Sequence, residues 1–217
     1  MASNESFDLV GPVGRLEALL MTPEEPPVAA AVVCHAHPQH GGMMHFKAVF
    51  RAAKALQGAG LAVLRFNFRS VGRSEGSHDD GNGEQDDACA ALSELERRFP
   101  GLPLVLGGFS FGAVVALRVA ARDARVRAVF ALGFPLARGG DVATLQTPAQ
   151  PRLFVQGELD QFGAGEALRR LVEPLPPPRE LVVVPAADHF FEGQLDALQA
   201  AVAAWAERRP WDRPSGG

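Results

Sequence analysis

A serine enclosed by glycines is the first feature of this sequence that could do chemistry. Residues 107–112 read GGFSFG, so Ser110 lies between Gly108 and Gly112 in the pattern G-x-S-x-G, directly after the apolar residues 104–106. Where a strand turns sharply into a helix, this pattern raises the serine hydroxyl above the sheet, and glycines are needed because neighbouring chains crowd the turn. The pattern is too short to identify a nucleophile by itself. Ser110 is therefore a candidate whose surroundings must decide.

A nucleophilic serine needs a base and an acid that orients the base. Of the six histidines, only His189 follows Ser110. When the nucleophilic serine lies at a sharp turn from a strand to a helix, the chain order is nucleophile, acid, histidine. Glu158 and Asp160 lie between them, just after an apolar run. We predict that Asp160 is the acid, the alternative being a solvated loop residue, and that Glu158 is a turn or strand-end residue. Asp188, beside His189, is predicted to cap a turn.

Backbone N–H groups are the expected donors to the oxygen of a negatively charged intermediate. The N–H of Phe111 is one candidate, because this residue opens a predicted helix and has no helical partner for its N–H. The second should come from the loop that reads CHAHPQHGGMMH, where His37 is the candidate and Ala36 the alternative. A shallow pocket is expected beside these groups. The pairs Met43-Met44 and Phe190-Phe191 could wall this pocket, or could equally belong to the core. The predicted wall of the pocket comprises Phe109, Phe111, Met43, Met44 and Phe190.

Strands and helices alternate along the chain, and this alternation would position the candidate residues. Apolar runs predict strands at 28–34, 61–68, 102–107, 126–132, 152–156 and 180–184, after a hairpin of residues 7–10 and 15–21. Helical spacing predicts helices at 46–57, 84–99, 111–122, 163–172 and 194–207. This order indicates an α/β fold with a mostly parallel sheet and helices on both faces. Ligands bind at the carboxyl ends of such strands, where Ser110, Asp160 and His189 all fall.

The composition is that of an ordinary globular protein. The chain has 217 residues, 47% of them hydrophobic and 21% charged, and residues 1–210 are predicted to form a single domain followed by a flexible tail at 211–217. A formal net charge of −4 and scattered arginines argue against nucleic acid as a partner. No apolar run approaches the length of a membrane span, and no signal peptide is evident. Cys34 and Cys89 are expected to be reduced, buried thiols, so a cytoplasmic location is expected.

Five segments together resemble the small, lidless bacterial α/β-hydrolases, the dienelactone-hydrolase-like proteins and carboxylesterases. They are CHAHPQHGG, NFRSVGRSEG, GGFSFGA, VQGELD and ADHFFEG, and they occur in the order found in that family. The resemblance implies an α/β-hydrolase fold without a cap domain and hydrolysis through an acyl-enzyme. We expect a small carboxylic ester as the substrate, and no cofactor. The resemblance also implies roles for Ser110 as nucleophile, Asp160 as acid, His189 as base, and His37 and Phe111 as backbone donors.

Two residues depart from the family pattern, and one of them bears on the substrate. Dienelactone hydrolase proper has a cysteine nucleophile, whereas this chain has Ser110, so that particular substrate is not implied. Ser70 stands where the family usually has glycine in the NFRSVGRSEG segment, and we interpret it as a tolerated change.

A metal site is the strongest alternative interpretation. His35, His37 and His40 form H-x-H-x-x-H, with His45 close behind, and this resembles the signature of metallo-β-lactamase-fold hydrolases. That signature requires an aspartate where this chain has Gln39. We therefore expect no metal, and we expect these histidines to bond backbone groups in a tight loop, with His35 or His40 lining the site.

Other readings keep the fold and change the activity. The same residues could hydrolyse amides or thioesters, and a relative without catalytic activity could bind a ligand or partner. The sequence does not decide the oligomeric state.

Overall fold

The computed structural model describes residues 2–138, 142–146 and 150–212, which form an eight-stranded sheet with helices on both faces. The strands are β1 (Ser3–Gly11), β2 (Gly14–Thr22), β3 (Ala29–Cys34), β4 (Leu61–Phe66), β5 (Leu104–Phe109), β6 (Val126–Leu132), β7 (Arg152–Gly157) and β8 (Arg179–Val184). Their spatial order is β1-β2-β4-β3-β5-β6-β7-β8. β1 and β2 form an antiparallel hairpin, β2 pairs antiparallel with β4, and the remaining pairs are parallel.

The described part of the chain has six helices, five between strands and one after β8. They are α1 (Lys47–Gly58), α2 (Gly83–Arg98), α3 (Phe111–Ala120), α4 (Val142–Gln146), α5 (Gly165–Val172) and α6 (Leu195–Glu207), with 3-10 turns at Pro38–His40 and Pro210–Asp212. Helices α1 and α6 pack together on one face of the sheet, and α2, α3, α4 and α5 cover the other. No helix in the described part of the chain is both long enough and apolar enough to cross a membrane.

The central strand β3 shows why the sheet is covered on both sides. All six of its residues, AAAVVC, are buried. Ala30, Val32 and Cys34 belong to one hydrophobic cluster and the alternate residues to the other, as the two-residue period of a strand dictates. Three alanines leave room for the backbones of neighbouring elements to come close. The turn that carries Ser110 approaches the other end of β3, at Cys34.

The predicted fold class and order of elements are confirmed, with shifts of a few residues at element ends. The predicted strand at 61–68 ends at Phe66, because the next N–H groups leave the ladder: Asn67 donates to Glu17 O, and Phe68 donates to the ring of His35. Between β6 and β7, where a cap would be inserted, the described residues contain only the five-residue helix α4.

The carboxyl-terminal boundary requires a correction. The tail was predicted to be flexible from residue 211, but Trp211 is only 1% exposed and its ring lies 6.3 Å from that of Trp205, centroid to centroid. The free energy gained by burying the indole ring of Trp211 against α6 exceeds the conformational entropy lost when one more turn of the chain is ordered. Residues 213–217 of the predicted tail lie outside the described part of the chain.

Candidate active site

Ser110 lies in the turn between β5 and α3, in a backbone conformation that residues with side chains seldom adopt. Its φ is 55° and its ψ is −117°. A Cβ on Gly112 would lie 2.5 Å from the carbonyl oxygens of Cys34 and His35, and a Cβ on Gly108 would lie 2.5 Å from Gly112 O. The end of β3 therefore passes too close to this turn for any side chain at either position. The crowding predicted for these glycines is confirmed.

The structure brings Ser110, His189 and Asp160 into one chain of hydrogen bonds. His189 Nδ1 lies 2.8 Å from Asp160 Oδ2, and His189 Nε2 lies 2.9 Å from Ser110 Oγ. Because a carboxylate only accepts hydrogen bonds, the Nδ1–H donates to Asp160, which leaves Nε2 bare to accept from the Ser110 hydroxyl. His189 and Asp160 are both buried. The arrangement gives the hydroxyl proton of Ser110 an acceptor.

The carboxylate of Asp160 is held by donors on both oxygens. The backbone N–H of Phe162 donates to Oδ1 at 2.8 Å, and Gln156 Nε2 donates to Oδ2, also at 2.8 Å. Gln156 lies on β7 and is fully buried. These contacts compensate for removing a carboxylate from water and fix the plane in which it faces His189.

The two other acids near the site have local structural roles. Glu158 is exposed and accepts a hydrogen bond from the N–H of Ala186 at 2.8 Å, between the ends of β7 and β8. Asp188 accepts from the N–H of Glu192 at 3.0 Å. The predictions of a strand-end role for Glu158 and a turn-capping role for Asp188 agree with these contacts.

Aromatic rings enclose the imidazole of His189. The ring centroids of Phe162, Phe109 and Phe190 lie 4.7, 5.1 and 5.3 Å from that of His189. Its backbone N–H donates to Gln161 Oε1 at 3.2 Å. These contacts restrict the ring to the orientation in which its two nitrogens face Asp160 and Ser110.

His35 is a structural residue of the loop that follows β3. The N–H of Phe68 donates to His35 Nε2 at 3.0 Å, so the ring proton is on Nδ1, which donates to Ala36 O at 2.6 Å. Burial lowers the pKa of His35 to about 4, so the ring is neutral at neutral pH. With both nitrogens occupied by backbone groups, His35 is not available as a metal ligand.

The remaining histidines of the loop do not converge on a metal position. His37 Nδ1 accepts from the N–H of Gln39 at 3.2 Å, and His40 and His45 are exposed. Among the described residues, no group of three or more His, Cys, Asp or Glu side chains is arranged to hold a metal ion. The expected bonding of these histidines to backbone holds for His35 and His37, whereas the wall of the site includes His37 and His40 but not His35.

Ser110 opens into a cavity of about 650 Å³. Apolar rings form much of its surface, and two arginines lie in its wall. The lining residues are Ala36, His37, His40, Asp80, Phe109, Ser110, Phe111, Val114, Arg118, Pro135, Arg138, Phe162, His189 and Phe190. This volume suits a small organic molecule.

Met43 and Met44, predicted as pocket walls, do not line the cavity. Met44 is buried because its backbone is anchored: its N–H donates to Asn67 Oδ1 at 2.8 Å, and its carbonyl accepts from Arg65 at 2.7 Å. Met43 is 45% exposed, outside the cavity. The prediction is wrong for both residues, whereas Phe109, Phe111 and Phe190 are in the wall.

The long loop 69–83 is fixed by the acidic residues that follow it. Arg69 makes a two-pronged, buried ion pair with Asp87 through hydrogen bonds of 2.8 and 3.0 Å. Glu84 accepts from the N–H groups of Asp79 and Gly81, at the start of α2. Ser70 is exposed and has a φ of 69°, which explains why glycine is usual at this position.

Several residues of the site were not anticipated from the sequence. Gln156, Phe162, Arg118, Arg138 and Asp80 all contact the cavity or the hydrogen-bonded chain. Of these residues, Arg118 alone could have been found from the sequence. It follows Phe111 and Val114 at positions i, i+3 and i+7 of α3, so the three side chains share one face of the helix. The others depend on how loops meet in space.

Comparison with known proteins places the chain among hydrolases of this fold. The model of the alpha/beta hydrolase domain family matches residues 29–205. A serine hydrolase without lid from Xanthomonas campestris is 39% identical, with a TM-score of 0.87 over 95% of this chain and 94% of that one. A serine hydrolase homologue from Coxiella burnetii is 38% identical, with a TM-score of 0.86 over 94% and 98% of the two chains.

An uncharacterised protein from Rickettsia prowazekii is 33% identical over 201 residues, which cover 88% of this chain and 84% of its own length. The family model spans most of the chain and includes the strands and turns that carry Ser110, Asp160 and His189. The chain belongs to the alpha/beta hydrolase domain family and is similar to its lidless serine hydrolases.

Proposed function

We propose that this protein is a serine hydrolase that cleaves small carboxylic esters. The observation that carries the proposal is the unbroken chain of hydrogen bonds from Ser110 through His189 to Asp160, at 2.9 and 2.8 Å. The Ser110 end of this series of hydrogen bonds lies in a cavity with aromatic walls, as an acyl-transfer site requires. Similarity to lidless serine hydrolases supports the same activity.

In the first half of the reaction, His189 Nε2 removes the hydroxyl proton as Ser110 Oγ attacks the ester carbonyl carbon. Asp160 stabilises the resulting imidazolium and keeps Nδ1 protonated. His189 then delivers its proton to the leaving alcohol as the bond from carbon to the alcohol oxygen breaks. The products of this half are the free alcohol and an acyl group on Ser110.

In the second half, water replaces the alcohol. His189 removes a proton from the water as its oxygen attacks the acyl carbon, and the proton passes to Ser110 Oγ when the acyl bond breaks. The carboxylic acid leaves and the enzyme returns to its starting state. Each half passes through a tetrahedral intermediate with a negative oxygen, which needs hydrogen-bond donors.

The N–H groups of Phe111 and His37 are the proposed donors to that oxygen. Both residues line the cavity, and in the described part of the chain neither N–H donates to a backbone carbonyl. His35 holds the carbonyl of Ala36, at 2.6 Å. Because C=O and N–H point in opposite directions across a trans peptide, this contact turns the N–H of His37 away from His35. Ala36 also lines the cavity, and its N–H is the alternative donor.

The experiment combines active-site labelling with substrate ranking. A fluorophosphonate probe should label the wild type and the control Ser93→Ala but not Ser110→Ala, and Ser110→Ala should lower kcat/KM for 4-nitrophenyl acetate by about a thousandfold or more. Ser93 is an exposed serine on α2, remote from the chain of hydrogen bonds. A Ser110→Ala variant that keeps more than a tenth of the activity would contradict the proposal. Matched acetyl amides and thioesters, measured alongside, rank the alternative substrates.

A further inference from the structure

Among the described residues, two arginines in the cavity wall have no carboxylate partner, whereas most of the other arginines in this part of the chain do. In the described part of the chain, neither Arg118 nor Arg138 makes an ion pair, although both line the cavity beside Ser110. Arg122, one turn further along from Arg118, pairs with Asp86 at 3.3 Å. An unpaired guanidinium in a binding cavity is the group that recognises a carboxylate.

Arg118 is directed toward the reacting groups by helix geometry. It shares a face of α3 with Val114 and Phe111, and side chains on a helix lean toward its amino terminus, where Ser110 lies. A Cβ on Gly81 would lie 3.4 Å from Arg118 Nη1 and 3.5 Å from the ring of Phe111. The guanidinium is therefore close to the aromatic ring that follows the nucleophile.

Arg138 reaches the other side of the cavity through a second aromatic ring. Its guanidinium carbon lies 4.9 Å from the centroid of Phe162, and Phe162 meets His189 edge to face at 4.7 Å. The N–H of Ala137 donates to Phe162 O at 2.8 Å, which ties the loop of Arg138 to this ring. Arg118 therefore lies near Phe111, the neighbour of Ser110, and Arg138 contacts Phe162, which in turn contacts His189.

The other charged or titratable side chains in the wall do not cancel this positive charge. Among the described residues, Asp80 is the one carboxylate in the lining; its side chain is 95% exposed and lies 3.4 Å from His78. Burial lowers the pKa of His37, and His40 and His78 lower it further against the opposing effect of Glu84 and Asp80, so the ring of His37 adds little charge at neutral pH. Within the described lining, Arg118 and Arg138 therefore outnumber the single carboxylate of Asp80, which leaves a net positive charge.

We propose that the substrate is an ester that carries a second, carboxylate group, separated from the scissile bond by a short apolar spacer. The inference rests on the proposed esterase function. The carboxylate pairs with Arg118 and Arg138, and the spacer lies along the rings of Phe111 and Phe162. Hydrolysis by water then yields an alcohol and an acid, one of which keeps the original carboxylate.

The test compares matched esters that differ in one charge. With the anion on the acyl side, the pair is 4-nitrophenyl hemiglutarate and 4-nitrophenyl valerate; with the anion on the alcohol side, it is 4-acetoxybenzoate and 4-methylphenyl acetate. In at least one pair, kcat/KM should be about five- to tenfold higher for the anion at low ionic strength. The preference should decrease as salt is added, because salt screens the ion pair.

Substitutions of the two arginines then test whether these residues cause the preference for the anionic ester. Arg118→Gln and Arg138→Gln should each reduce the ratio of kcat/KM, anionic over neutral ester, about threefold or more, and the double variant should bring it near one. Arg122→Gln is the control, since its partner Asp86 lies outside the cavity, and its ratio should equal that of the wild type. Thermal unfolding of each variant separates loss of fold from loss of preference.

The two proposals fail in different ways. If the wild type hydrolyses the neutral esters through Ser110 but shows no preference for either anion, the inference is wrong and the esterase function stands. The inference is also wrong if the glutamine variants retain the wild-type ratio. If neither member of either pair is hydrolysed in a Ser110-dependent way, both proposals are overturned.

Discussion

Gln156 donates a hydrogen bond to the same oxygen of Asp160 that receives the ring N–H of His189. Gln156 Nε2 and His189 Nδ1 each lie 2.8 Å from Asp160 Oδ2. The amide is itself fixed, since its oxygen accepts from the N–H of Phe134 at 2.8 Å and its nitrogen also donates to the carbonyl of Gly163. A buried glutamine on β7 therefore determines how the carboxylate faces the histidine. We propose that Gln156 is a positioning residue.

Replacing Gln156 by leucine should impair catalysis more than substrate binding. The variant leaves Asp160 with one donor fewer and Phe134 N–H without an acceptor, so we expect kcat to fall about tenfold to a hundredfold and KM to change little. The free energy of unfolding should fall by about 1–3 kcal/mol. Steady-state kinetics on 4-nitrophenyl acetate and urea unfolding measure the two effects.

The control for this prediction is Gln57→Leu. Gln57 is also a buried glutamine, but it donates to Thr22 O, away from the cavity. Its variant should lose stability and keep the wild-type kcat. If both leucine variants lose kcat equally, the role of Gln156 is structural only.

The acid can be identified by comparing two conservative amide variants. Asp160→Asn should lower kcat by about a thousandfold or more, because an amide can donate to Nδ1 and so favour the wrong tautomer of His189. Glu158→Gln should keep most of the activity, since Glu158 only accepts from the N–H of Ala186. Kinetics of both variants on one ester decide the matter. A severe loss in Glu158→Gln with an active Asp160→Asn would show that the acid has been misassigned.

The parts of the site that could be predicted are those that depend on chain order and local backbone. Ser110 is recognisable because its turn needs glycines at fixed positions, and Asp160 and His189 because each follows a strand in the same parallel sheet. Gln156 was not anticipated, because a glutamine in an apolar strand has no meaning until Asp160 folds back over it.

The errors have a similar cause. Met44 looked like a pocket residue from its place in the loop, but hydrogen bonds of its backbone to Asn67 and Arg65 draw it into the core. Trp211 looked like part of a frayed end, but the packing surface beside Trp205 is formed by α6 and cannot be seen from the tail itself. Both outcomes depend on tertiary contacts between distant segments of the chain.

His35 should make the stability of the fold sensitive to acid. Burial lowers the pKa of His35 to about 4, whereas the unfolded chain titrates near the ordinary value of 6.5. Between these values the unfolded state binds a proton that the folded ring does not. The contribution of His35 is therefore complete above pH 6.5 and decreases as the pH falls toward 4, by about 3 kcal/mol in all.

The comparison is with His35→Gln, whose side chain does not titrate. Its free energy of unfolding, measured by urea denaturation at several pH values, should fall less than that of the wild type between pH 6.5 and 4. His45→Gln, which removes an exposed histidine outside the cavity wall, should follow the wild-type pH dependence. Parallel curves for the wild type and His35→Gln would refute the assignment.

Esters with short acyl chains should be the best neutral substrates. The cavity has aromatic walls near Ser110, but Arg118 and Arg138 also lie in its wall, and Phe190 is 45% exposed. Each methylene that packs against the rings contributes about 0.8 kcal/mol, and this gain ends where the chain meets water or a guanidinium. We therefore expect kcat/KM for 4-nitrophenyl esters to rise over the first carbons and to peak between about C2 and C6.

The series from acetate to palmitate, measured below the solubility limit of each ester, tests this expectation. The variant Arg118→Leu makes the test sharper, because replacing the charge with an apolar side chain extends the apolar wall. In this variant the optimum should move toward longer chains, whereas Arg122→Leu, outside the cavity, should leave it in place. An optimum at C10 or longer in the wild type would mean that the cavity continues as an acyl channel, and the short-chain preference would then be wrong.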